Sequence, residues 1–456
     1  MSQQADVVVV GMGPGSEDVA ERLAEAGLDV VGVDAELVGG ECPYWGCVPS
    51  KMMIRAADLL AEGRRIPGMA GDSQIEADWS AVAKRIRDEA TDDWDDSVAV
   101  KRFEDKGGRF VRGWGRLEGA HRVAVGDEIF EAGRAVVVGT GSRTWIPPVA
   151  GLAATPYWTN REAIETVEAP PTLAVLGGGA IGVELAQVFH RFGSGVTVLE
   201  AGPRLIGPEE PESASLLAEV FEAEGIAVRT GVSIDSVHHD GRRFAVTLDG
   251  GDPLVADRLL VAAGRRPDLA QLNVSSIGLD ESAPALPVDD HLRVEGVEGV
   301  WAVGDITGKG AFTHVSMYQA DIVVNDIVGN QVVAADYRAV PRVTFTDPEI
   351  GSVGLTEQEA RHQGLEVRVG MTQIPSSTRG WIHKAGNQGF IKLIEDSDRG
   401  VLVGATSVGP WGGEVLGLLA LAVHAEVPTI SLRHMIFAYP TFHRAIEAAV
   451  KDLLGG

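Results

Sequence analysis

The sequence has little of what would indicate a membrane protein, a nucleic-acid-binding protein or a disulfide-rich secreted domain. It contains two cysteines in 456 residues, which is too few for a disulfide framework. Lys and Arg number 39 against 65 Asp and Glu, and the net charge of −26 argues against nucleic acid or an anionic membrane surface as a partner. No apolar run reaches about 18 residues, and the N-terminus lacks the charged and apolar regions of a signal peptide. We therefore expect a cytoplasmic protein.

Near the N-terminus, the order of residues is typical of a dinucleotide-binding βαβ unit. A β-branched apolar run leads into a glycine-rich turn, a helical pattern and a second apolar run that ends at Asp34. Gly11 permits a tight turn, Gly13 lets the backbone approach a pyrophosphate, and Gly15 keeps the turn open. Ser16 occupies the third glycine position, where a small side chain should still allow the helix to pack on the strand. Asp34 is placed to accept hydrogen bonds from a ribose.

The same pattern recurs in the middle of the chain. Its turn contains Gly177, Gly179, Ile181 and Gly182, and its second strand ends at Glu200. In both copies the acid follows the first glycine by 23 residues, and a matched pair in the right context is a specific signal. Two dinucleotide sites in one chain favour one bound prosthetic group and one exchanged substrate. FAD and NAD(P)H fit that division.

Glu200 also bears on the choice of nicotinamide nucleotide. A carboxylate at this position repels the 2′-phosphate of NADP and favours NADH. Arg204 follows four residues later and could offset that repulsion. We expect NADH, and NADPH stays an open alternative.

Cys42 and Cys47 are the candidate redox centre. Pro43 suits the first turn of a helix, and apolar residues continue at helical spacing from Val48 to Leu59. The pair is therefore predicted to lie near a helix N-terminus, which favours the reactive thiolate. A zinc site would need more ligands, and no metal site is expected. A purely structural disulfide would restrain little loop entropy across so short a span.

These motifs resemble those of the flavoprotein disulfide reductases, the family that includes dihydrolipoyl dehydrogenase, glutathione reductase and mercuric reductase. The resemblance covers nearly the whole chain. It rests on the stretches 39–51 (GGxCxxxxCxPSK), 139–142, 263–267, 302–305, 345–349 and 353–354. It implies an α/β fold with two Rossmann-like dinucleotide-binding domains, for FAD and NAD(P), and a C-terminal α+β dimerisation domain.

The resemblance also implies domain boundaries and an assembly. The FAD domain would comprise 1–155 and a return segment at 269–336, with the NAD(P) domain inserted at 156–268. Residues 337–456 would form the dimerisation domain. In this family the C-terminal end of one subunit completes the active site of the other, so a homodimer with shared active sites is expected.

Roles for individual residues follow from the resemblance. Cys47 would touch the flavin as the charge-transfer thiolate, and Cys42 would be the interchange thiol that attacks substrate. Lys51 would pair with Glu184 beside the flavin N5, and a cation there would stabilise the reduced, anionic flavin. The residues expected to bind FAD are Gly11, Gly13, Gly15, Ser16, Asp34, Gly40, Lys51, Thr140, Gly141, Gly304 and Asp305. Those expected to bind NAD(P) are Gly177, Gly179, Ile181, Gly182, Glu200 and Gly264.

The C-terminal stretch departs from the family pattern. Members that reduce organic disulfides carry His-Pro-Thr and then a Glu, whereas this chain has Tyr439 and Arg444 at those positions. Tyrosine is a poor proton shuttle at neutral pH. His443 would share a face with Tyr439 if the stretch is helical, or it is a surface or interface histidine. The C-terminal cysteine pair of mercuric reductase is absent.

Two questions stay open at this point. Tyr44 and Trp45, between the cysteines, either reshape the substrate pocket, stack on a ring-bearing substrate, or pack in the core. The electron acceptor is expected to be a small disulfide or thiol-type substrate. The alternative is a quinone, metal ion or oxygen that takes electrons without thiol chemistry, as in a diaphorase. The cysteine pair with Lys51 and Glu184 argues against a third possibility, a non-enzymatic flavoprotein.

Overall fold

The structure is a computed structural model and describes residues 2–455. The strands in chain order are β1 (Ser2–Val10), β2 (Val30–Asp34), β3 (Arg109–Arg112), β4 (Gly115–Leu117), β5 (Arg122–Val125), β6 (Glu128–Val138), β7 (Arg143–Thr144), β8 (Thr172–Leu176), β9 (Gly195–Glu200), β10 (Ala227–Thr230), β11 (Ile234–His239), β12 (Phe244–Leu248), β13 (Leu254–Ala256), β14 (Arg258–Val261), β15 (Arg265–Arg266), β16 (Val300–Ala302), β17 (Pro341–Thr344), β18 (Glu349–Gly354), β19 (Val367–Gln373), β20 (Phe390–Asp396) and β21 (Val401–Gly409).

The α-helices in chain order are α1 (Pro14–Glu25), α2 (Glu41–Tyr44), α3 (Cys47–Arg64), α4 (Trp79–Arg85), α5 (Ser97–Asp105), α6 (Asn160–Glu165), α7 (Ala180–Arg191), α8 (Pro211–Glu224), α9 (Leu269–Leu272), α10 (Thr313–Val328), α11 (Glu357–His362), α12 (Thr378–His383), α13 (Gly412–His424), α14 (Thr429–Arg433) and α15 (Ala445–Leu453). A π-helical segment at Ile86–Ala90 follows α4 directly.

The chain divides into two compact units. Unit 1 comprises Met1–Ser50, Lys84–Trp145 and Gly264–Tyr337, and unit 2 comprises Lys51–Ala83, Ile146–Ala263 and Arg338–Gly456. Unit 1 contains a seven-stranded sheet in the order β3-β2-β1-β6-β5-β4, with β16 also paired to β6. The strands β3, β2, β1, β6 and β16 are parallel. Their buried valines form continuous apolar runs because both faces of a parallel sheet are covered.

Unit 2 contains three sheets. A parallel sheet has the order β10-β9-β8-β14, an antiparallel one has the order β11-β12-β13, and a five-stranded one has the order β17-β18-β21-β20-β19. The five-stranded sheet is antiparallel. Helix α15 packs so closely on its edge strand β19 that a Cβ at Gly370 would lie 2.4 Å from the Ala449 carbonyl oxygen. The α/β class with two dinucleotide-binding βαβ units and a C-terminal α+β part is confirmed.

The sequence predicts α3 correctly but not the face that it buries. The apolar positions that indicate the helix include Val48 and Leu59, which are 45% and 54% exposed. The buried residues of α3 are Met53, Ala57 and others that lie off this stripe. The spacing of the apolar residues therefore predicts a helix, whereas the face that the helix buries depends on which other elements pack against it.

Among the residues that the structure describes, no helix combines the length and the apolar character needed to cross a membrane.

Candidate active site

The first glycine turn joins β1 to α1 and has the tight geometry that the sequence predicts. Gly11 has a φ of +86°, and a Cβ there would lie 2.5 Å from the Gly139 carbonyl oxygen. Gly13 is the N-cap of α1, and no side chain caps that helix end. A helix N-terminus of this kind, without a Cβ at its cap, suits a pyrophosphate.

Ser16 shows how the first copy tolerates the loss of its third glycine. Its side chain is buried, and its hydroxyl donates to the Gly13 carbonyl oxygen at 3.2 Å. A Cβ on Gly139 would lie 2.5 Å from Ser16 Oγ, so the facing segment supplies the small residue. Gly15 serves a different contact, since a Cβ there would lie 2.5 Å from the Ser316 carbonyl oxygen on α10.

The second glycine turn joins β8 to α7 with the same geometry. Gly177 has a φ of +106°, and a Cβ there would lie 2.3 Å from the Ala262 carbonyl oxygen. Gly179 is the N-cap of α7, and a Cβ there would meet open space. Gly182 packs against the turn, since its Cβ would lie 2.0 Å from the Gly177 carbonyl oxygen. Ile181 is partly exposed on the first turn of the helix.

The two acids that end the βαβ units hold their own glycine turns. Asp34 Oδ2 accepts from the Met12 N–H at 2.7 Å, and Glu200 Oε2 accepts from the Gly178 N–H at 2.6 Å. Met12 and Gly178 stand at the same place in the two copies, directly after the first glycine. Burial raises the pKa of Asp34, while the hydrogen bonds that it accepts from the Met12 and Glu36 N–H groups oppose the rise. The acids therefore fix the turn in addition to the ribose contact expected from the sequence.

Unit 1 brings together residues that the sequence predicts to bind FAD. A Cβ on Gly40 would lie 3.0 Å from Gly13 Cα, and a Cβ on Gly11 would lie 2.8 Å from Thr140 Cα. Gly141 follows with a φ of +66° and has open space where a Cβ would be. These backbone segments form a cradle without side chains, which fits the pyrophosphate region of FAD.

Asp305 is tied to a second loop of unit 1. Ser142 Oγ donates to Asp305 Oδ2 at 2.5 Å, and Arg265 Nε donates to Ser142 Oγ at 3.0 Å. Gly264, expected at the NAD(P) site, lies in unit 1, where its carbonyl oxygen accepts from the Trp145 N–H at 2.9 Å. Ser142 and Arg265 belong to motifs found in the sequence, but their link to Asp305 was not predicted.

Gln319 was missed altogether by the sequence reasoning. It is fully buried on α10, and its Oε1 accepts from the Gly304 N–H at 2.6 Å. Its Nε2 donates to Thr307 Oγ1 at 3.1 Å and to the Tyr337 hydroxyl at 3.0 Å. Gln319 therefore holds the turn that carries Asp305. Because α10 contains several other polar residues, no sequence pattern singled out Gln319.

The cysteines are present as two thiols. Cys42 is half-buried in α2, and Cys47 is exposed as the first residue of α3, so the predicted helix start is confirmed. A hydrogen bond with Cys47, and then burial, raise the pKa of the Cys42 thiol. Cys47 Sγ lies 3.3 Å from Thr313 Oγ1, at the start of α10.

Lys51 and Glu184 are brought together in unit 2. Lys51 Nζ lies 2.9 Å from Glu184 Oε2, and Glu184 Oε1 accepts from the Phe345 N–H at 2.8 Å. Glu184 is buried on α7, whereas the Lys51 side chain is 36% exposed. Lys51 follows Cys47 by four residues on α3, which is the spacing of side chains on one helix face.

The C-terminal residues do not form the predicted helical pair. Tyr439 and His443 lie in turns before α15, which begins at Ala445, so the argument that they share a helix face is wrong. Tyr439 is 65% exposed, with the Arg444 guanidinium 5.3 Å from its ring centroid. Arg444 also pairs with Glu447 at 3.0 Å. Pro440 within the stretch disfavours a continuous helix.

Tyr44 and Trp45 are both buried, with ring centroids 5.9 Å apart. Burial raises the pKa of Tyr44 to about 12. Their position in the interior supports the core-packing interpretation of the two aromatic residues.

Sequence profiles of known families match nearly all of this chain. The profile described as pyridine nucleotide-disulphide oxidoreductase matches residues 5–320, and its dimerisation domain matches residues 340–450. The chain belongs to this family. Pyridine nucleotide-disulphide oxidoreductases are enzymes that bind FAD and use NAD(P)H, so the expected enzyme class and cofactors are confirmed. The dimerisation domain and the relatives support a homodimer.

Individual oxidoreductases of the family resemble the chain over almost its full length. The dihydrolipoyl dehydrogenase of Mycobacterium leprae is 32% identical over 470 residues, covering 99% of this chain and 98% of that protein. The mercuric reductase of Shewanella putrefaciens is 31% identical, covering 98% of this chain and 80% of that protein. The Cu(II) complex of the HOCl-induced flavoprotein disulfide reductase RclA from Escherichia coli matches with a TM-score of 0.87 and 25% identity, covering 98% and 99% of the two chains.

Proposed function

We propose that this oxidoreductase passes electrons from NAD(P)H to a small disulfide or thiol-type substrate through the Cys42–Cys47 pair. The observation that carries the proposal is that the two thiols are hydrogen-bonded to each other and that Cys47 Sγ lies 3.3 Å from Thr313 Oγ1. The hydrogen bond with Cys47, and then burial, raise the pKa of Cys42. A dithiol held in this way is a two-electron donor.

FAD, Lys51 and Thr313 would each contribute to the transfer of electrons to the cysteine pair. Bound FAD would supply the two-electron chemistry that links the nicotinamide to the cysteine pair. Lys51, held by Glu184 at 2.9 Å, provides a positive charge that favours the reduced flavin. Thr313 Oγ1, 3.3 Å from Cys47 Sγ, donates a hydrogen bond to the thiolate that forms.

The exchange with substrate balances as two sulfur displacements. Cys42 passes its proton to the acid–base group of the partner subunit and attacks one sulfur of the substrate disulfide, which breaks the substrate S–S bond and releases the first thiolate. Cys47 then attacks Cys42 Sγ, which releases the second thiolate and closes the Cys42–Cys47 disulfide. Two electrons leave the pair, and the two thiolates take up protons. Tyr439 or His443 of the partner subunit is the proposed source of the first proton, with active sites shared across the dimer.

The surroundings of Glu200 support NADH as the electron donor. The Glu200 carboxylate faces the glycine turn, where it would repel a 2′-phosphate. Arg204, which could offset that repulsion, donates instead to the Gly207 carbonyl oxygen at 2.7 Å. The Arg204 guanidinium therefore stabilises the loop that contains Arg204 and Gly207.

A second candidate acceptor is a metal ion, quinone or oxygen. The observation that favours it is Tyr439 and Arg444 at the positions of the usual acid–base pair, since these acceptors need no protonated leaving thiol. One relative is named a mercuric reductase, and a solved neighbour is a Cu(II) complex.

An anaerobic titration with NADH tests the proposal. We expect a long-wavelength charge-transfer absorbance after two electrons, and its loss in Cys47→Ser. Cys42→Ser should show that absorbance before NADH is added, because Cys47 is then a reduced thiol beside oxidised FAD, and it should lose reduction of every disulfide in a panel. If no disulfide is reduced by the unmodified enzyme while quinones or Cu(II) are, and Cys42→Ser still reduces them, the second candidate replaces the first.

A further inference from the structure

Phe345 contacts both members of the Lys51–Glu184 pair. Its backbone N–H donates to Glu184 Oε1 at 2.8 Å, and its ring centroid lies 4.5 Å from Lys51 Nζ. Lys51 Nζ itself lies 2.9 Å from Glu184 Oε2. Each of the three residues therefore contacts the other two, and the Lys51 ammonium lies against both the Glu184 carboxylate and the Phe345 ring.

We propose that Phe345 is a positioning residue for Lys51. A lysine has a flexible stem, and the Glu184 contact by itself leaves that stem many rotamers. The Lys51 side chain is 36% exposed, so its ion pair is partly screened by water. The negative face of the Phe345 ring attracts the ammonium from a second direction. This inference rests on the proposed function, in which the charge of Lys51 acts on the flavin.

The backbone around Phe345 is anchored without its ring. The Asp347 N–H donates to Gln187 Oε1 at 2.8 Å, and Gln187 Nε2 donates back to the Asp347 carbonyl oxygen at 3.0 Å. The backbone hydrogen bond from residue 345 to Glu184 also survives any side-chain change except proline. A substitution at Phe345 can therefore remove the ring while the segment keeps its place on α7.

The main alternative role for the ring is packing. Phe345 lines a shallow depression together with Ile54, Ala57 and Val188. A ring that only fills space would act whether or not residue 51 carries a charge. A ring that positions the ammonium would act only when Lys51 is present. A double-mutant cycle separates these two cases.

The experiment uses the holoenzyme with Phe345→Leu, Phe345→Tyr, Lys51→Met and the Lys51→Met/Phe345→Leu double variant. The ratio of reduced to oxidised FAD is measured anaerobically against a redox dye at a fixed potential. We expect Phe345→Leu to lower this ratio about threefold, as loss of an exposed cation–π contact would. Phe345→Tyr should keep the unmodified ratio, because it keeps the ring. In the Lys51→Met background, Phe345→Leu should add nothing.

Each other outcome has a definite meaning. If Phe345→Leu lowers the ratio of reduced to oxidised FAD equally with and without Lys51, the ring acts by packing and the inference is overturned. The inference is also overturned if Lys51→Met lowers this ratio while Phe345→Leu leaves it normal. If Lys51→Met itself leaves the ratio unchanged, the proposed function of Lys51 fails first, and the inference fails with it. FAD content and thermal unfolding confirm that each variant is folded, and Phe345→Met replaces Phe345→Leu in the same cycle if the leucine variant does not fold.

Discussion

Thr313 Oγ1 lies 3.3 Å from Cys47 Sγ, although 266 positions separate the two residues in the chain. Thr313 begins α10 and Cys47 begins α3, so the two residues meet at the starts of two helices. A hydroxyl donor and the positive ends of helix dipoles both favour a thiolate. Cys47 Sγ is therefore set in surroundings suited to negative charge.

Removal of the Thr313 hydroxyl should make the thiolate harder to form. A hydrogen bond to a charged group contributes about 1.5–3 kcal/mol, so we expect Thr313→Val to move the pH midpoint of the charge-transfer absorbance upward by about one unit. Thr313→Ser, which keeps the hydroxyl, is the matched control and should behave as the unmodified protein. An unchanged midpoint in the valine variant would show that the hydroxyl is not a donor to the sulfur.

Removal of Cys47 should make Cys42 easier to ionise. The hydrogen bond with Cys47 is the largest cause of the raised pKa of Cys42, so Cys47→Ala should shift alkylation of Cys42 by iodoacetamide to lower pH. Mass spectrometry of the alkylated peptide measures the shift. If alkylation of Cys42 has the same pH profile in Cys47→Ala and in the unmodified protein, the hydrogen bond with Cys47 does not raise the pKa of Cys42.

Asp58 should make the stability of the protein depend on pH. It lies 2.7 Å from Arg191, but burial, the largest effect, raises the pKa of Asp58 from 3.8 to about 6. A carboxyl group whose pKa is raised by folding contributes stability below its unfolded pKa and loses it as pH rises through its folded pKa. Asp58→Asn should therefore gain stability relative to the unmodified protein between about pH 4 and about pH 6.

Unfolding midpoints of Asp58→Asn at several pH values measure this effect. Asp72→Asn, at an exposed aspartate of the same unit, controls for the loss of one negative charge. A constant difference between Asp58→Asn and the unmodified protein across pH 4 to 8 would contradict the linkage.

Gln319 should be required for FAD binding more than for chemistry. Gln319→Leu leaves the Gly304 N–H, the Thr307 hydroxyl and the Tyr337 hydroxyl without this partner, and an unsatisfied buried group costs about 1–3 kcal/mol. We expect about a tenfold rise in the Kd for FAD, measured by fluorescence of the released flavin. Gln363→Leu, at an exposed glutamine, is the control. Normal FAD retention in Gln319→Leu would remove this role.

Much of the fold could be predicted from the sequence because its signals are local. The strands that lead into the glycine turns end in continuous buried apolar runs, and the turns need the positive φ seen at Gly11 and Gly177. A helix start near the cysteine pair was predicted from nearby residues in the same way, although Pro43 lies in the short helix α2 and α3 begins at Cys47. The stretch containing His443 was misread because helical spacing alone does not show whether Pro440 and its neighbours continue a helix.

The sequence by itself determined the two βαβ units, the cysteine pair and the family, since glycine spacing, apolar periodicity and short motifs are properties of contiguous residues. Only the tertiary structure decided that Thr313 reaches Cys47, that Gln319 holds the turn at Gly304, and that the Phe345 ring lies over Lys51. The contact between Thr313 and Cys47 depends on the meeting of two helix starts. The contacts of Gln319 and Phe345 depend on how helices pack against loops and strands. Such packing is set by side chains distant in sequence, and no local pattern encodes it.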